Sequence, residues 1–142
     1  MKNEIPVTEC NGLALRKAAR TVSAMYDRHL APTGLGGAQF SILAAINAHA
    51  GIGMQDLSDL LAMDRTSLVR AVQPLARDGF VLQQPDPAHA RKLLLTLSAE
   101  GRAKYDEAHP HWRAAQHEFE SGIGKPQAAA LRQELAALSR KR

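Results

Sequence analysis

Between Asp64 and Gly79 the sequence reads DRTSLVRAVQPLARDG, and its polar side chains recur at spacings that suit recognition of a charged groove. Taking Leu68 as zero and stepping about 100° per residue along a helix puts Val72, Leu75 and Ala71 within roughly 60° of it. Thr66, Arg70, Gln73 and Arg77 gather on the opposite side, with Ser67 near them. A helix face carrying Arg, Thr, Ser and Gln donates hydrogen bonds to phosphates and to base edges in a major groove. The same residues also suit a plain solvated face. Arg77 fits the C-terminal end of a helix, where a cation meets the dipole favourably. Arg65 is different, because a cation in the first turn opposes that dipole unless a phosphate sits against the helix start. Arg65 and Arg70 are therefore read as functional and Arg77 as stabilising.

Other reactive side chains lack an arrangement. His109, His111 and His117 share one stretch with Glu118 and Glu120. However, His109 and His111 point to different faces of a helix, and no His-x-x-x-His pair offers two ligands on one side. No metal, no cofactor and no catalytic residue is expected. The glycines around Ile52 and Ile123 lack the strand-to-helix context of a phosphate loop.

The elements that would hold the polar face can be read on either side of it. Asp64 suits the N-cap, its carboxylate accepting from the backbone of Thr66 or Ser67. Gly79 suits the left-handed residue that ends a helix. Upstream, MQDLSDLL places Leu57, Leu60 and Leu61 on one apolar side, and a tight break at Ala62-Met63 separates the two segments. Two helices joined so closely form a helix-turn-helix. Downstream, FVLQQ and KLLLTLS favour strands, and PDPAHAR between them suits a loop. A hairpin after the second helix makes a wing.

In this order LSDLLAMDRTSLVRAVQPLARDGFV, DPAHAR and LLLTLSAEG resemble the MarR family of bacterial transcription regulators, and the likeness extends upstream through GLGGAQFSILAAI. The resemblance implies that the second helix enters the major groove of double-stranded DNA and that the wing reaches the minor groove. It implies Arg65, Thr66, Ser67, Arg70, Gln73, Arg91 and Lys92 as the DNA-binding set. Arg91 lies seven positions before Ser98, where the family has an arginine in an Asp-x-Arg pattern. His89 stands at the family's aspartate position, leaving Asp86 as the candidate to orient Arg91. Lys92 reads either as a phosphate contact or as a solvated lysine. The resemblance further implies a homodimer that represses from a palindromic promoter site. A small-molecule inducer, often an aromatic acid or phenol in the family, would bind between the terminal helices and the winged lobe. Some members sense peroxide through a cysteine near the start of the first helix, and Cys10 in CNGLALRKAAR stands in a loosely similar context. A helix N-terminus favours the thiolate form that oxidises, whereas the commoner role of a lone cysteine is a small buried hydrophobe.

The 142 residues suit one domain with extensions used in assembly. Aromatic residues make up only 4%, so a core must rest mainly on Leu, Ala, Val and Ile. The net charge of +4 permits nucleic-acid binding without requiring it. One cysteine precludes an internal disulfide and fits a reducing cytoplasm. No apolar run approaches the roughly 20 residues that span a bilayer, so no membrane partner is expected. MKNEIPVTEC lacks the apolar centre of a secretion signal, and the expected place is the cytoplasm, at the nucleoid.

A first helix is expected from about Cys10 to Leu30, a second from Gly36 to His49, and a short edge strand at Ile52. Ser98 should cap a long helix with Tyr105, Ala108, Trp112, Ala115 and Phe119 on one seam, kinked by Pro110 near Asp106. A break over Ser121–Pro126 precedes a last helix with Ala128, Leu131, Leu135 and Leu138 inward. The fold expected is mainly α with a small β-wing (α+β), a winged helix-turn-helix over 36–97 flanked by dimerisation helices over 1–31 and 98–142. A winged protein-interaction module without DNA affinity is the alternative from another class. Arg65 and Arg91 argue against it.

Overall fold

The computed structural model describes residues 3–140. α1 (Asn11–Leu30) starts at Cys10 and ends in a single 3₁₀ turn, Ala31–Thr33, closed by Gly34 at φ 81°. α2 (Gly37–Ala48) follows, and Asp27 of α1 reaches across to accept the Gly37 amide hydrogen at 2.7 Å. Phe40, Ile42, Leu43 and Ile46 make α2 the most apolar element, and all four are buried.

α3 (Met54–Leu60) and α4 (Arg65–Arg77) are joined through Ala62, the one described non-glycine residue with positive φ, 51°. The Ser58 hydroxyl and backbone hold Met63 from the α3 side, which fixes this tight corner. Gly79 takes φ 82° after α4, the left-handed value its position requires.

Three antiparallel strands form the wing in the order β1-β3-β2, with β1 Ile52–Gly53, β2 Val81–Asp86 and β3 His89–Leu97. Ile52 pairs with Leu95 and Gly53 with Leu94, so the edge strand expected at Ile52 is present. The loop is much shorter than PDPAHAR suggests, since only Pro87 and Ala88 lie outside the strands. Pro85 is accommodated because β2 is an edge strand, where a missing N–H costs little. Beyond it the register shifts between Pro85, opposite Leu93, and Asp86, opposite His89. This bulge leaves Ala90, Arg91 and Lys92 without cross-strand partners.

α5 (Ala99–Ile123) begins at Ser98, whose hydroxyl oxygen accepts the Gly101 amide hydrogen at 3.0 Å. The helix continues through Pro110 without interruption. The break after it is confined to Gly124 at φ 92°, and α6 (Lys125–Leu138) starts at once with Pro126 in its first turn. Proline is tolerated there because the first helical amides have no acceptor within the helix.

One core joins Leu30, Phe40, Leu43, Ile46, Leu57, Leu68, Val72, Leu75, Leu95 and Ala108. The α5 seam is divided between different neighbours. Phe40 stacks on Tyr105 (centroids 5.5 Å apart, planes 8° apart) and on Trp112 (5.9 Å), so these two aromatics pack against α2 inside the chain. Phe119 instead faces Val22, Leu131 and Leu135 around a recess between α1, α5 and α6. Apolar side chains remain exposed at both ends of the chain, including Ile5, Val7 and Leu15, and Ile123, Leu135 and Leu138. Among the described residues no helix is long and apolar enough to cross a membrane.

Candidate nucleic-acid interface

α4 divides cleanly into two faces. Leu68, Val72 and Leu75 are at most 1% exposed, while Arg65, Thr66, Ser67, Arg70, Gln73 and Arg77 are exposed. The helix carries three arginines and no acidic residue. Its start is capped by Asp64, whose Oδ2 accepts the Ser67 amide hydrogen at 2.9 Å and whose Oδ1 accepts the Ser67 hydroxyl hydrogen at 2.6 Å. The Ser67 hydroxyl bond, then the amide bond, holds the Asp64 carboxyl below the usual carboxylate range. Ser67 thus uses its hydroxyl hydrogen within the cap, leaving Thr66, Arg70 and Gln73 as donors along the helix.

The wing lies beside the start of α4. A groove of about 320 Å³ is lined by Asp56 and Arg65 on one side and by Asp86, Lys92 and Leu94 on the other. Arg65 and Lys92 therefore border the same space, as a phosphate clamp would require. Arg91 is exposed and stands in β3, two residues after His89, which opposes Asp86 at the turn. Asp86 does not orient it. Its Oδ1 instead accepts the Ala88 amide hydrogen at 2.9 Å and so shapes the turn. Arg77 contacts Asp78 at 3.6 Å, an exposed pair of small energetic weight.

Cys10 is half-buried at the N-cap of α1, where its Sγ accepts the Leu13 amide hydrogen at 3.4 Å. His109 belongs to an aromatic cluster, edge-on to Tyr105 at 5.8 Å and tilted against Trp112 at 5.7 Å. His117 lies 3.4 Å from the Ser121 hydroxyl. Among the described residues no group of three or more His, Cys, Asp or Glu side chains is placed to hold a metal ion.

A second concavity is lined in part by residues that the sequence did not single out. Two neighbouring recesses of about 400 and 310 Å³, both lined by Ser41 and Trp112, form a grooved region between α1, α2 and α5. Its aromatic wall is the Phe40–Tyr105–Trp112 stack, and Asp27, Ser23 and Tyr26 border its polar end. The paired glycines Gly36-Gly37 were the available signal. A helix starting on glycine leaves room for a foreign carboxylate, and the Cβ positions of both residues fall 3.3–3.4 Å from Asp27 Oδ1.

The sequence pattern of the MarR family matches residues 33–92. The repressor NicR of Pseudomonas putida is 30% identical over 104 residues, which span 73% of this chain and 66% of NicR, just under two thirds of that relative. The transcriptional regulator MosR of M. tuberculosis, solved in complex with DNA, superposes with a TM-score of 0.82 at 36% identity, covering 92% of this chain and 94% of MosR. The transcriptional repressor CouR of Rhodococcus jostii, bound to a 23-mer DNA duplex, gives 0.84 at 25% identity over 99% and 100% of the two chains.

Proposed function

This chain belongs to the MarR family of transcription regulators, and we propose that it acts as a homodimeric repressor, binding a palindromic promoter site and released by a small molecule. The observation that carries the reading is the exposed face of α4, with its arginines, no acid, and a cationic wing beside its first turn. Such a face docks in a major groove, with Thr66, Arg70 and Gln73 toward base edges and Arg65 and Lys92 toward phosphates. Arg91 then reaches the flanking minor groove. The complexes of MosR and CouR with DNA support this assignment.

Two copies join through the apolar side chains left exposed at the ends of the chain. A two-fold dimer presents its α4 helices to successive major grooves, about 34 Å apart. The groove between α1, α2 and α5 is the inducer site in this reading, because its walls come from the terminal helices and from the lobe that carries α4. A regulator of this kind performs no catalysis and works in the cytoplasm, where its operator lies. A mobility-shift titration on the protein's own upstream region, at two salt concentrations, tests the assignment. Affinity should fall steeply with salt, because each neutralised phosphate releases counterions. Salt-independent or absent binding would favour the winged protein-interaction module instead.

The Cys10 geometry favours a second signal. The Cys10 Sγ accepts the Leu13 amide hydrogen at the start of α1, so oxidation of this sulfur would disturb the cap. Micromolar peroxide should then release DNA from the wild type and not from Cys10→Ser. Matching release curves would leave Cys10 as a capping and packing residue.

A further inference from the structure

The groove between α1, α2 and α5 has a charge character that bears on its ligand, an inference that rests on the reading of this groove as the inducer site. The start of α2 is the helix N-terminus that borders it, and helix N-termini favour anions. That place is already taken by Asp27, which accepts the Gly37 amide hydrogen at 2.7 Å and packs against Gly36 and Gly37. Among the described residues nothing pairs with its second oxygen, and the side chain is exposed where it borders the groove. No lysine or arginine lines either recess. Arg28, next to Asp27 in sequence, turns to Glu118 and bonds both carboxylate oxygens at 2.9 Å.

We propose that this groove selects an aromatic ligand bearing an ammonium or amidinium group, with the cation at Asp27 and the ring against Trp112, and rejects an aromatic carboxylate of the same shape. A ligand carboxylate would meet Asp27 with no cation to compensate it, whereas a cationic head gains a charge-assisted hydrogen bond. Tyr26, at the same end, donates its hydroxyl hydrogen to Gln116 Oε1. Burial first, and then the charge of Glu120, push its phenol above the ordinary range despite Arg132. Tyr105 and His109 are the other ionisable side chains of the lining.

Trp112 is the only tryptophan of the chain and lines both recesses, so its emission reports on this groove directly. The full chain is titrated at about pH 8 with benzylamine, phenylacetate and benzyl alcohol. Benzylammonium should bind at least about tenfold more tightly than phenylacetate. Asp27→Asn keeps an acceptor for the Gly37 amide while removing the charge, and should bring the ratio within about threefold. Phenylacetate binding as tightly as benzylamine overturns the charge selection while leaving the groove a ligand site. A preference unchanged in Asp27→Asn also overturns it, because Asp27 is then not the selector. If none of the three perturbs Trp112, the groove reading fails together with the inference.

Discussion

Gly101 sits so close to the backbone of Phe80 that a Cβ at residue 101 would lie 1.9 Å from the Phe80 oxygen and 2.8 Å from its carbonyl carbon. The same corner is tied by Ser98, whose amide donates to the Phe80 oxygen at 3.0 Å and whose hydroxyl donates to the Gly79 oxygen. The first turn of α5 is thus fastened to the junction between α4 and the wing. A shift of the start of α5 must therefore displace or break this corner beside α4.

Gly101→Ala is expected to destabilise the fold by about 1–3 kcal/mol or more, because the added methyl meets backbone that cannot rotate away. Gly122→Ala, in the same helix but with open space around its Cβ, should be neutral or stabilising by up to about 1 kcal/mol. Urea unfolding of the two variants makes the comparison. Equal stabilities would mean that the α5 start is free to shift away from Phe80.

The helix-turn-helix and its cap were legible because their signals are local: Asp64, the Ala62 corner and Gly79 each act within a few residues. The wing turn was less so. Two prolines read as loop, and only the edge position of β2 explains why Pro85 stays in the strand. Periodicity identified the apolar seam of α5 but not what covers it, and Trp112 proved to stack on Phe40 within the chain. Gly101 was illegible for the same reason, because a close approach between distant elements leaves no pattern in neighbouring residues. The Asp27–Gly37 cap left only the paired glycines Gly36-Gly37 as its sign.

Removal of residues 125–142 should uncover Val22, Tyr26 and Phe119, which line the recess completed by α6. Trp112 keeps its contacts with Phe40, so the winged lobe should stay folded. The expected product is a monomer or an aggregate, read by sedimentation velocity. A stable dimer of the truncated chain would place the interface elsewhere.

Acidification should weaken α4 in a defined direction. The Asp64 carboxyl is held low by the Ser67 hydroxyl and amide, so its stabilisation is present above the ordinary carboxylate range. It is lost as pH falls through the lowered folded value. Asp64→Asn still caps the helix but does not titrate. The stability gap between wild type and Asp64→Asn should therefore be widest at neutral pH and close below about pH 4, which pH-dependent urea unfolding measures. A gap that stays constant across the range would show that the charge contributes nothing to the cap.

Arg70 and Arg91 should fail in different ways. Arg70 lies mid-helix on the exposed face of α4, where a guanidinium pairs with a guanine edge or clamps a phosphate. Arg70→Ala should cost about 1–3 kcal/mol per half-site on the cognate operator and much less on random DNA, so specificity collapses. Arg91 is exposed within the bulged part of β3, free of cross-strand pairing and of Asp86. Held this loosely, it adapts to groove width more readily than to base identity. Arg91→Ala should weaken cognate and random duplexes alike, with a shallower salt dependence and less preference for A·T-rich flanks. Neither change should move the melting temperature much, since both side chains are exposed. Competition binding with cognate and scrambled duplexes separates the two patterns. Wild-type affinity in Arg91→Ala would remove Arg91 from the DNA interface and leave α4 as its main reader.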